Sequence, residues 1–364
     1  MIVTCEKEKL NSLVQAALRA VSARVTMPIL SGLLICTEGG KLSVSGTDLE
    51  ISIKVQDDAV VQEGGSTVVS GKLLGDIVKS LSPGEIKLET GEKFLQVKSA
   101  TGEYRIREMM PEDFPQIPGW EGESVLKIAA GEFSRGVHQA SRASSSDDKR
   151  PVLTGSLIEK NVGEGTIRIV STDSYRLAWK EIEASGSLAE WEDCIVPTKT
   201  LNEVARLAAS AGSEIEMKIQ EKQAMFRMDD MVVRSRLIEG QFPNYRQLTP
   251  KGERTTARVD RDELAAVVRR ALIFGHNLRL GAYSDHVVIH TETPEVGDSR
   301  EEIPAEVEGE EMEIGFNGGY LLDGVTVVGS EKVEIKMDDP QKPALMKPYG
   351  EEKFVYIIMP VRLK

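Results

Sequence analysis

The chain has 364 residues, 40% hydrophobic and 5% aromatic, with a formal net charge of −13. This length allows two or three domains with mainly aliphatic cores, and the negative charge excludes a uniformly basic nucleic-acid-binding surface. Apolar runs such as 29–36 and 354–361 are too short to span a bilayer, and no secretory signal is visible at the N-terminus. The three cysteines are too far apart to form a disulfide framework or a zinc site, so we expect a soluble, cytoplasmic protein.

One sequence unit occurs three times, and each copy begins with a helix-like segment followed by two strands. Apolar residues alternate along these strands, which is typical of a sheet with one buried face. Gly or Asp turn signals separate the two strands of each copy. The helix-like segments are 9–24, 132–146 and 261–275, and the strand pairs lie within 29–53, 153–179 and 278–303.

A second unit follows each first one, with a short helix, a strand and a hairpin into a closing strand. Its copies are 71–90, 198–220 and 317–337, and the closing strands lie within 104–115, 232–243 and 354–363. Thr47, Thr172 and Thr293 occupy equivalent places in the three copies. The repeat of roughly 120 residues predicts three similar α+β domains. Their predicted boundaries are 1–118, 124–246 and 255–364.

Residues suited to catalysis or metal binding are scarce. The four histidines form no HExxH pattern, no serine lies in GxSxG, and no glycine-rich loop predicts a phosphate site. Acidic pairs at 147–148, 229–230 and 338–339 could hold a divalent metal, but their positions at turns favour solvated loop residues. The motifs 46–48 and 171–173 both end in Asp, which is better explained by an Asp that caps a turn than by one active site. We expect no catalytic site, metal or cofactor.

Charge differs between the predicted helices and the other residues. The six helical segments carry a net charge of +5, which leaves −18 on the rest of the chain. Either these are ordinary solvated helix faces, or the helices face one polyanion while the sheets face away from it. The last helix contains the poor helix formers Gly324, Val325 and Thr326. The six segments are 7–24, 71–81, 131–150, 198–209, 260–270 and 317–327.

Four motifs carry a resemblance to a known family: RVTMPIL at 24–30, TDSYRLA at 172–178, FPNYR at 242–246 and YIIMPVRL at 356–363. Together with the threefold repeat, they resemble the bacterial sliding clamp, the beta subunit of DNA polymerase III, over essentially the whole chain. The resemblance implies three DNA-clamp domains, each with two helices packed on antiparallel sheets, forming a ring as a homodimer. It also implies a non-enzymatic protein that encircles duplex DNA and tethers the replicative polymerase for processive synthesis.

The resemblance further implies residues for DNA binding and for assembly. Arg24 matches a DNA-contacting loop arginine of the family, and Arg142, Lys199 and Arg206 are weaker candidates. These side chains would contact phosphates of double-stranded DNA without reading its sequence, which suits sliding. An open crescent of sheets leaves strand edges that a second subunit would cover. The positions that match the family's dimer interface are Tyr104, Ile106, Leu272 and Ile273.

In the family, partners compete for one pocket by inserting a short peptide with Leu and Phe anchors. The resemblance therefore implies several partners: the DNA polymerase III alpha subunit, the clamp loader, translesion polymerases, mismatch repair proteins and ligase. Aliphatic walls, one adaptable Met and a few polar groups suit such a pocket. The matching residues are Leu153, Thr172, Ser174, Tyr175, Arg176, Leu177, Pro243, Gln247, Leu248, Leu278, Asn317, Tyr320, Pro343, Ile357, Met359, Pro360, Val361, Arg362 and Leu363.

Two other classes of function are alternatives to the clamp. A metal-dependent nuclease could use the acidic pairs, but one active site does not need three copies of a domain. A protein-binding scaffold without DNA encirclement would not need the charge difference between helices and sheets. Both alternatives are less consistent with the repeat and the charge pattern than a clamp is.

Overall fold

The computed structural model describes residues 1–22, 27–123, 125–161, 163–209, 212–250 and 252–362. These residues form helices and antiparallel sheets in two compact units. Unit 1 comprises residues 1–131 and 206–237, and unit 2 comprises residues 132–205 and 238–364. No helix within the described ranges is long and apolar enough to cross a membrane.

Two longer helices occur in each of the three repeats, as the sequence predicts. In the first repeat α1 packs on α2, and in the third α6 packs on α7. Ser70, Asp260 and Asn317 cap α2, α6 and α7 by accepting backbone N–H groups of the first turn. The described helices are α1 (Lys7–Leu18), α2 (Gly71–Ser80), α3 (Ala130–Ala140), the single turn α4 (Pro151–Thr154), α5 (Thr198–Ala208), α6 (Arg261–Ala271) and α7 (Gly318–Val327).

The strands of unit 1 follow one another in the hydrogen-bonded order β10-β16-β17-β18-β4-β3-β2-β6-β9-β8-β7-β1-β5. Leu33, Ile35, Leu42 and Ile53 are fully buried beside the helices. The strands are β1 (Ile2–Glu6), β2 (Gly32–Glu38), β3 (Lys41–Thr47), β4 (Ile51–Asp58), β5 (Val60–Glu63), β6 (Gly65–Ser70), β7 (Glu85–Thr90), β8 (Phe94–Lys98), β9 (Glu103–Met109), β10 (Leu126–Ala129), β16 (Glu214–Gln220), β17 (Gln223–Met228) and β18 (Met231–Arg236).

The strands of unit 2 follow the order β15-β11-β12-β13-β26-β25-β24-β19-β22-β21-β20-β23. Phe316, Phe354 and Tyr356 are the largest side chains of its helix-side core. The strands are β11 (Gly155–Asn161), β12 (Thr166–Thr172), β13 (Arg176–Glu183), β14 (Ser185–Gly186), β15 (Cys194–Pro197), β19 (Thr255–Asp260), β20 (Asn277–Ala282), β21 (His286–Thr293), β22 (Gly297–Gly309), β23 (Met312–Asn317), β24 (Lys332–Met337), β25 (Ala344–Pro348) and β26 (Phe354–Ile358).

Hydrogen bonding between strands crosses the predicted domain boundaries. In unit 1, β4 of the first repeat pairs with β18 of the second. In unit 2, β13 of the second repeat pairs with β26 of the third. Each compact unit therefore combines strands from two repeats, and the three-domain boundaries remain a prediction.

Two helices are shorter than predicted. The segment 7–24 was predicted as one helix, but α1 ends at Leu18, and tighter i→i−3 hydrogen bonds follow it. The segment 131–150 is helical only to Ala140 and then forms a 3₁₀ turn at Ser141–Ala143. Serine side chains there bond to the local backbone, which competes with helix formation. Arg19 and Arg142 consequently lie beyond the helices to which the charge count assigned them.

The Asp residues of the two repeated motifs cap turns, as predicted. Asp48 Oδ1 accepts the backbone N–H groups of residues 50 and 51, and Asp173 Oδ1 accepts those of residues 175 and 176. The preceding Thr47 and Thr172 each donate to a carbonyl oxygen four residues further on, at 3.0 and 2.7 Å. The two turns therefore have the same pattern of hydrogen bonds, and each Asp accepts backbone N–H groups of its own turn.

The helix α7 forms despite its poor helix formers. Gly324 lies against the ring of Tyr356 and the side chain of Met346, where a Cβ atom would come within 2.3–2.8 Å of them. The missing side chain lets the helix approach the sheet closely, and burial of Leu321 and Val325 stabilises it. Tertiary packing therefore outweighs the low helix propensity of this segment.

Candidate functional site

An apolar cluster covers one face of the sheet in unit 2. Alternation along β26 places Tyr356 and Ile358 in the helix-side core, and Val355 and Ile357 in a separate cluster on the opposite face. Leu177 of β13 pairs directly with Ile357, and both are 1% exposed. Directly opposite side chains on one face are in contact range. Both residues belong to the predicted pocket, and we call this pair its floor.

The linker, defined as residues 241–250, borders this cluster. Tyr245 is buried in the cluster, and its ring centroid lies 6.0 Å from that of Trp179. Leu248 is half-buried and packs on the same cluster. The linker therefore supplies one wall beside the floor. Its exposed members of the predicted pocket are Pro243 and Gln247.

The turn between β12 and β13 forms a second wall. Thr172 is buried, and its hydroxyl closes the turn as described above. Ser174 adopts a φ of +82°, and its N–H donates to Thr172 Oγ1 at 3.2 Å. This left-handed residue and the Asp173 cap turn the backbone sharply, so that Tyr175 is 59% exposed while Leu177 returns to the floor.

Arg176 connects this turn to the last repeat. Its Nε donates to Asp173 Oδ2 at 2.9 Å, and its Nη1 donates to Asp323 Oδ2 at 2.5 Å and to the Tyr356 hydroxyl at 3.3 Å. Burial alone would lower the pKa of Arg176, but interactions with Tyr356 and Asp323 outweigh it and raise the pKa. The guanidinium therefore stays charged and holds the wall in place.

Two tyrosines form the rim above Arg176. The Tyr175 and Tyr320 rings stack with centroids 6.5 Å apart, and the Arg176 guanidinium lies 4.3 Å from the Tyr320 centroid. Arg150 donates to Ser174 Oγ at 3.2 Å and so supports the turn from its outer side. The rim therefore presents an aromatic surface that ion pairs hold in place.

The C-terminal segment contains the last group of predicted pocket residues. The N–H of Met359 donates to the Tyr175 carbonyl at 2.9 Å, and that of Val361 donates to the Gly315 carbonyl at 2.8 Å. Met359, Pro360 and Val361 are half-buried and Arg362 is exposed. This segment is thus fixed to both the turn and β23. Leu363 lies outside the described residues.

The other predicted pocket residues have different environments. Leu153 is buried in α4, where its N–H bonds to the Arg150 carbonyl. Leu278 is 1% exposed and belongs to the helix-side core. Asn317 accepts the N–H of Tyr320 and caps α7, and the half-buried Pro343 immediately precedes β25.

Several residues of the apolar cluster were not among the predicted pocket residues. Their strands show the same apolar alternation as the rest of the sheet, so the sequence does not tell which face they occupy. Leu345 of β25 is paired with Ile357 of β26, and a prediction of this pairing would have placed Leu345 in the cluster. The additional residues are Leu157, Val170, Trp179, Phe242, Tyr245, Leu345 and Val355.

The predicted DNA-contacting residues are exposed where they are described. Arg142 lies on the 3₁₀ turn after α3, with Nη2 3.3 Å from His138 Nε2. Burial and the Arg142 charge lower the pKa of His138. Lys199 and Arg206 are seven residues apart on α5, so they share one face of this helix. Arg24 lies outside the described residues.

The predicted dimer residues lie on one strand edge, β9, and at one helix end, after α6. In β9, residues 103–107 pair with β8, while only residues 108 and 109 pair with β6. Tyr104 is 38% exposed there, whereas Ile106 is buried within its own unit. In unit 2, Ile273 is 76% exposed just after α6, and Leu272 is half-buried.

Comparison with known proteins covers the whole chain. Three family models match in order: the DNA polymerase III beta subunit N-terminal domain at residues 1–118, its central domain at 127–244 and its C-terminal domain at 246–362. The beta sliding clamp of Synechococcus elongatus is 28% identical over 376 residues, covering 100% of both chains.

Solved structures give the same result. The DNA polymerase sliding clamp from Bacillus subtilis is 26% identical, with a TM-score of 0.94. The DnaN sliding clamp from Pseudomonas aeruginosa, bound to griselimycin, is 31% identical, with a TM-score of 0.93. Both comparisons cover 100% of this chain and 100% of the other.

Proposed function

The chain belongs to the DNA polymerase III beta subunit family, and from this we propose that it is a DNA sliding clamp acting in replication in the cytoplasm. In this role two copies form a ring around duplex DNA and tether the polymerase for processive synthesis. The protein itself catalyses no reaction and needs no cofactor. The observation that carries the proposal is the match of all three clamp models, in order, over nearly the whole chain.

The pocket supports peptide binding. In the proposed pocket, Leu177 and Ile357 would form an apolar floor, and the capped turn, the linker and the C-terminal segment would form three walls. Burial of two or three peptide anchors contributes about 1.5–3 kcal/mol each, less the cost of ordering the peptide. This is consistent with roughly micromolar binding of a peptide with Leu and Phe anchors.

Competition for one pocket would let different proteins use the same ring in turn. We propose the DNA polymerase III alpha subunit and the clamp loader as the principal partners. Translesion polymerases, mismatch repair proteins and ligase are further partners of the same class. Their common requirement is a short segment that places Leu and Phe side chains on the Leu177–Ile357 floor.

DNA binding in this proposal is weak and independent of sequence. Arg24, Arg142, Lys199 and Arg206 would contact phosphates through long, mobile side chains, and a closed ring needs no tight contact to stay on DNA. The overall charge of −13 supports this arrangement, because an acidic exterior disfavours DNA binding elsewhere on the surface.

Assembly of the ring would use the strand edges. The unpaired side of β9 at residues 103–107 would meet the partner subunit beside Ile273, whose exposed side chain would be covered there. Tyr104 would contribute its exposed ring, and Ile106 would support the strand from the core. One interface of this kind at each end of the chain closes a two-subunit ring.

Retention on DNA of different topology tests the function. The protein is loaded onto nicked circular DNA with a clamp loader and ATP, and a second sample is then cut with a restriction enzyme. A clamp stays on the circle and is lost from the cut ends. A nuclease would degrade both DNAs, and a scaffold without DNA encirclement would be retained on neither; either result would refute the proposal.

A further inference from the structure

The linker wall of the pocket is held by side chains. Among the described residues, no backbone group between 241 and 250 is hydrogen-bonded to a strand. The segment contains one 3₁₀ turn at Tyr245–Leu248, which begins at the buried tyrosine. The position of Leu248 against the floor therefore depends on contacts that anchor this turn.

A polar network around two buried residues, Glu159 and Tyr245, provides the anchor. The Tyr245 hydroxyl donates to Glu159 Oε1 in a short hydrogen bond and accepts from Arg168 Nη1 at 3.0 Å. Arg246 Nη2 donates to the same Glu159 oxygen at 2.9 Å, so two consecutive linker residues hold one carboxylate. Arg168 in turn binds Glu181 through its Nε at 2.9 Å.

The properties of this network suit it to hold the linker in one position. Glu159 is 6% exposed and Tyr245 is 3% exposed, so the hydrogen bond between them is shielded from water. Burial and the hydrogen bond to Glu159 raise the pKa of Tyr245 to about 12. The phenol therefore remains a donor at physiological pH. Its ring also packs on Trp179, which adjoins the floor residue Leu177 along β13.

We propose that Tyr245 is a positioning residue for peptide docking: its bond to Glu159 and Arg168 fixes the linker so that Leu248 forms a preorganised wall of the pocket. This inference deepens the proposed function and rests on it. Tyr245 does not itself contact the peptide. Without its hydroxyl the linker samples other positions, and the peptide must order the wall on binding, which weakens affinity.

The test measures binding of a fluorescent peptide with Leu and Phe anchors to the full chain by anisotropy. Tyr245→Phe keeps the ring packing and removes the hydroxyl, and we expect about tenfold weaker binding, equal to about 1.4 kcal/mol. Tyr283→Phe is the matched control, because Tyr283 also donates to a carboxylate, Glu313, at 2.6 Å, but at an exposed site. We expect the control to bind like the wild type.

A double-mutant cycle distinguishes positioning from a general loss of stability. If Tyr245 acts through Leu248, Leu248→Ala removes most of the effect of Tyr245→Phe, so the two losses do not add. With Val361→Ala, in the C-terminal segment, the losses should add. Additive losses with both partners would overturn the proposal.

The remaining outcomes separate this inference from the proposed function. Wild-type protein that binds the peptide while Tyr245→Phe binds equally well would overturn the positioning role alone. Wild-type protein that fails to bind any such peptide would refute the docking function itself. Thermal unfolding of each variant, measured in parallel, ensures that affinities are compared between folded proteins.

Discussion

Removing the C-terminal segment gives the sharpest test of the pocket. A variant that ends at Ile358 lacks residues 359–364 but keeps β26 between β13 and β25. The deletion removes two described backbone hydrogen bonds, from Met359 to Tyr175 and from Val361 to Gly315. At about 0.5–1.5 kcal/mol each, their loss costs about 1–3 kcal/mol. A domain stable by about 5–15 kcal/mol remains folded after such a loss.

The deletion should weaken peptide binding while the chain stays folded. The deletion removes a wall of three half-buried residues, Met359, Pro360 and Val361, so a peptide anchor on the floor would stay in contact with water. Loss of one buried anchor costs about 1.5–3 kcal/mol, which corresponds to roughly 10- to 150-fold weaker binding. From a micromolar starting affinity, the Kd would rise to about 10–150 μM.

The assay is fluorescence anisotropy with a polymerase-tail peptide, and light scattering reports the oligomeric state in parallel. We expect a dimer that binds the peptide about 10- to 150-fold more weakly than the full chain does. Val296→Ser serves as a control, because Val296 is an apolar residue that is 62% exposed outside the pocket. Full-strength binding by the truncated dimer would refute the assignment of the pocket to this segment.

Three further predictions concern assembly, DNA and packing. Ile273→Asp should give folded monomers, because the side chain is 76% exposed in the single chain and its charge would be buried only in a dimer; a dimer at low micromolar concentration by light scattering would contradict this. Arg24→Ala should flatten the dependence of log affinity for DNA on log salt by slightly less than one unit, and an unchanged slope would count against the phosphate contact. Gly324→Ala should lower the free energy of unfolding by about 1–3 kcal/mol in urea titrations, because its Cβ would lie 2.3 Å from Met346 Cε. A more stable variant would show that the better helix propensity of Ala prevails instead.

Local patterns predicted the elements of the fold well. Alternating apolar residues and turn signals placed the hairpins, and the matched Asp residues predicted two capped turns that the structure confirms. Helix ends were less predictable. The apolar period continues past Leu18 and Ala140, whereas the actual ends depend on local hydrogen bonds of serine side chains and on tightened last turns.

The pocket could be predicted only in part, because its members come from segments far apart in the chain. The continuous apolar run at 354–358 indicates that Tyr356 and Ile357 are both buried, but it does not say which of them belongs to the helix-side core. The polar network under the linker was also hidden, since Glu159 and Arg168 look like ordinary surface residues of a strand pair. The linker crosses this sheet in the folded chain, and Tyr245 there covers Glu159 and Arg168.

Strands of consecutive repeats pair at two places: β4 with β18, the first joint, and β13 with β26, the second joint. The residues at these two joints differ, so similar repeats do not give similar pockets. Thr47 and Thr172 are equivalent, so Ser52 of β4 corresponds to Leu177 of β13. Leu177 is paired with Ile357, but Ser52 is paired with Arg234.

Residues 119–120, which precede the central repeat, lie over Arg234 and its cationic neighbours. Arg234 is 7% exposed and donates to the Gly119 carbonyl at 2.6 Å, and Trp120 lies within 4.6 Å of both the Lys218 ammonium and the Arg227 guanidinium. Burial lowers the pKa of Arg234 and that of Lys218, which shows that both are already poorly solvated. A Leu or Phe anchor inserted here would displace contacts of buried cations and leave them without compensation. The same backbone pairing therefore supports an apolar docking floor at the second joint and excludes one at the first.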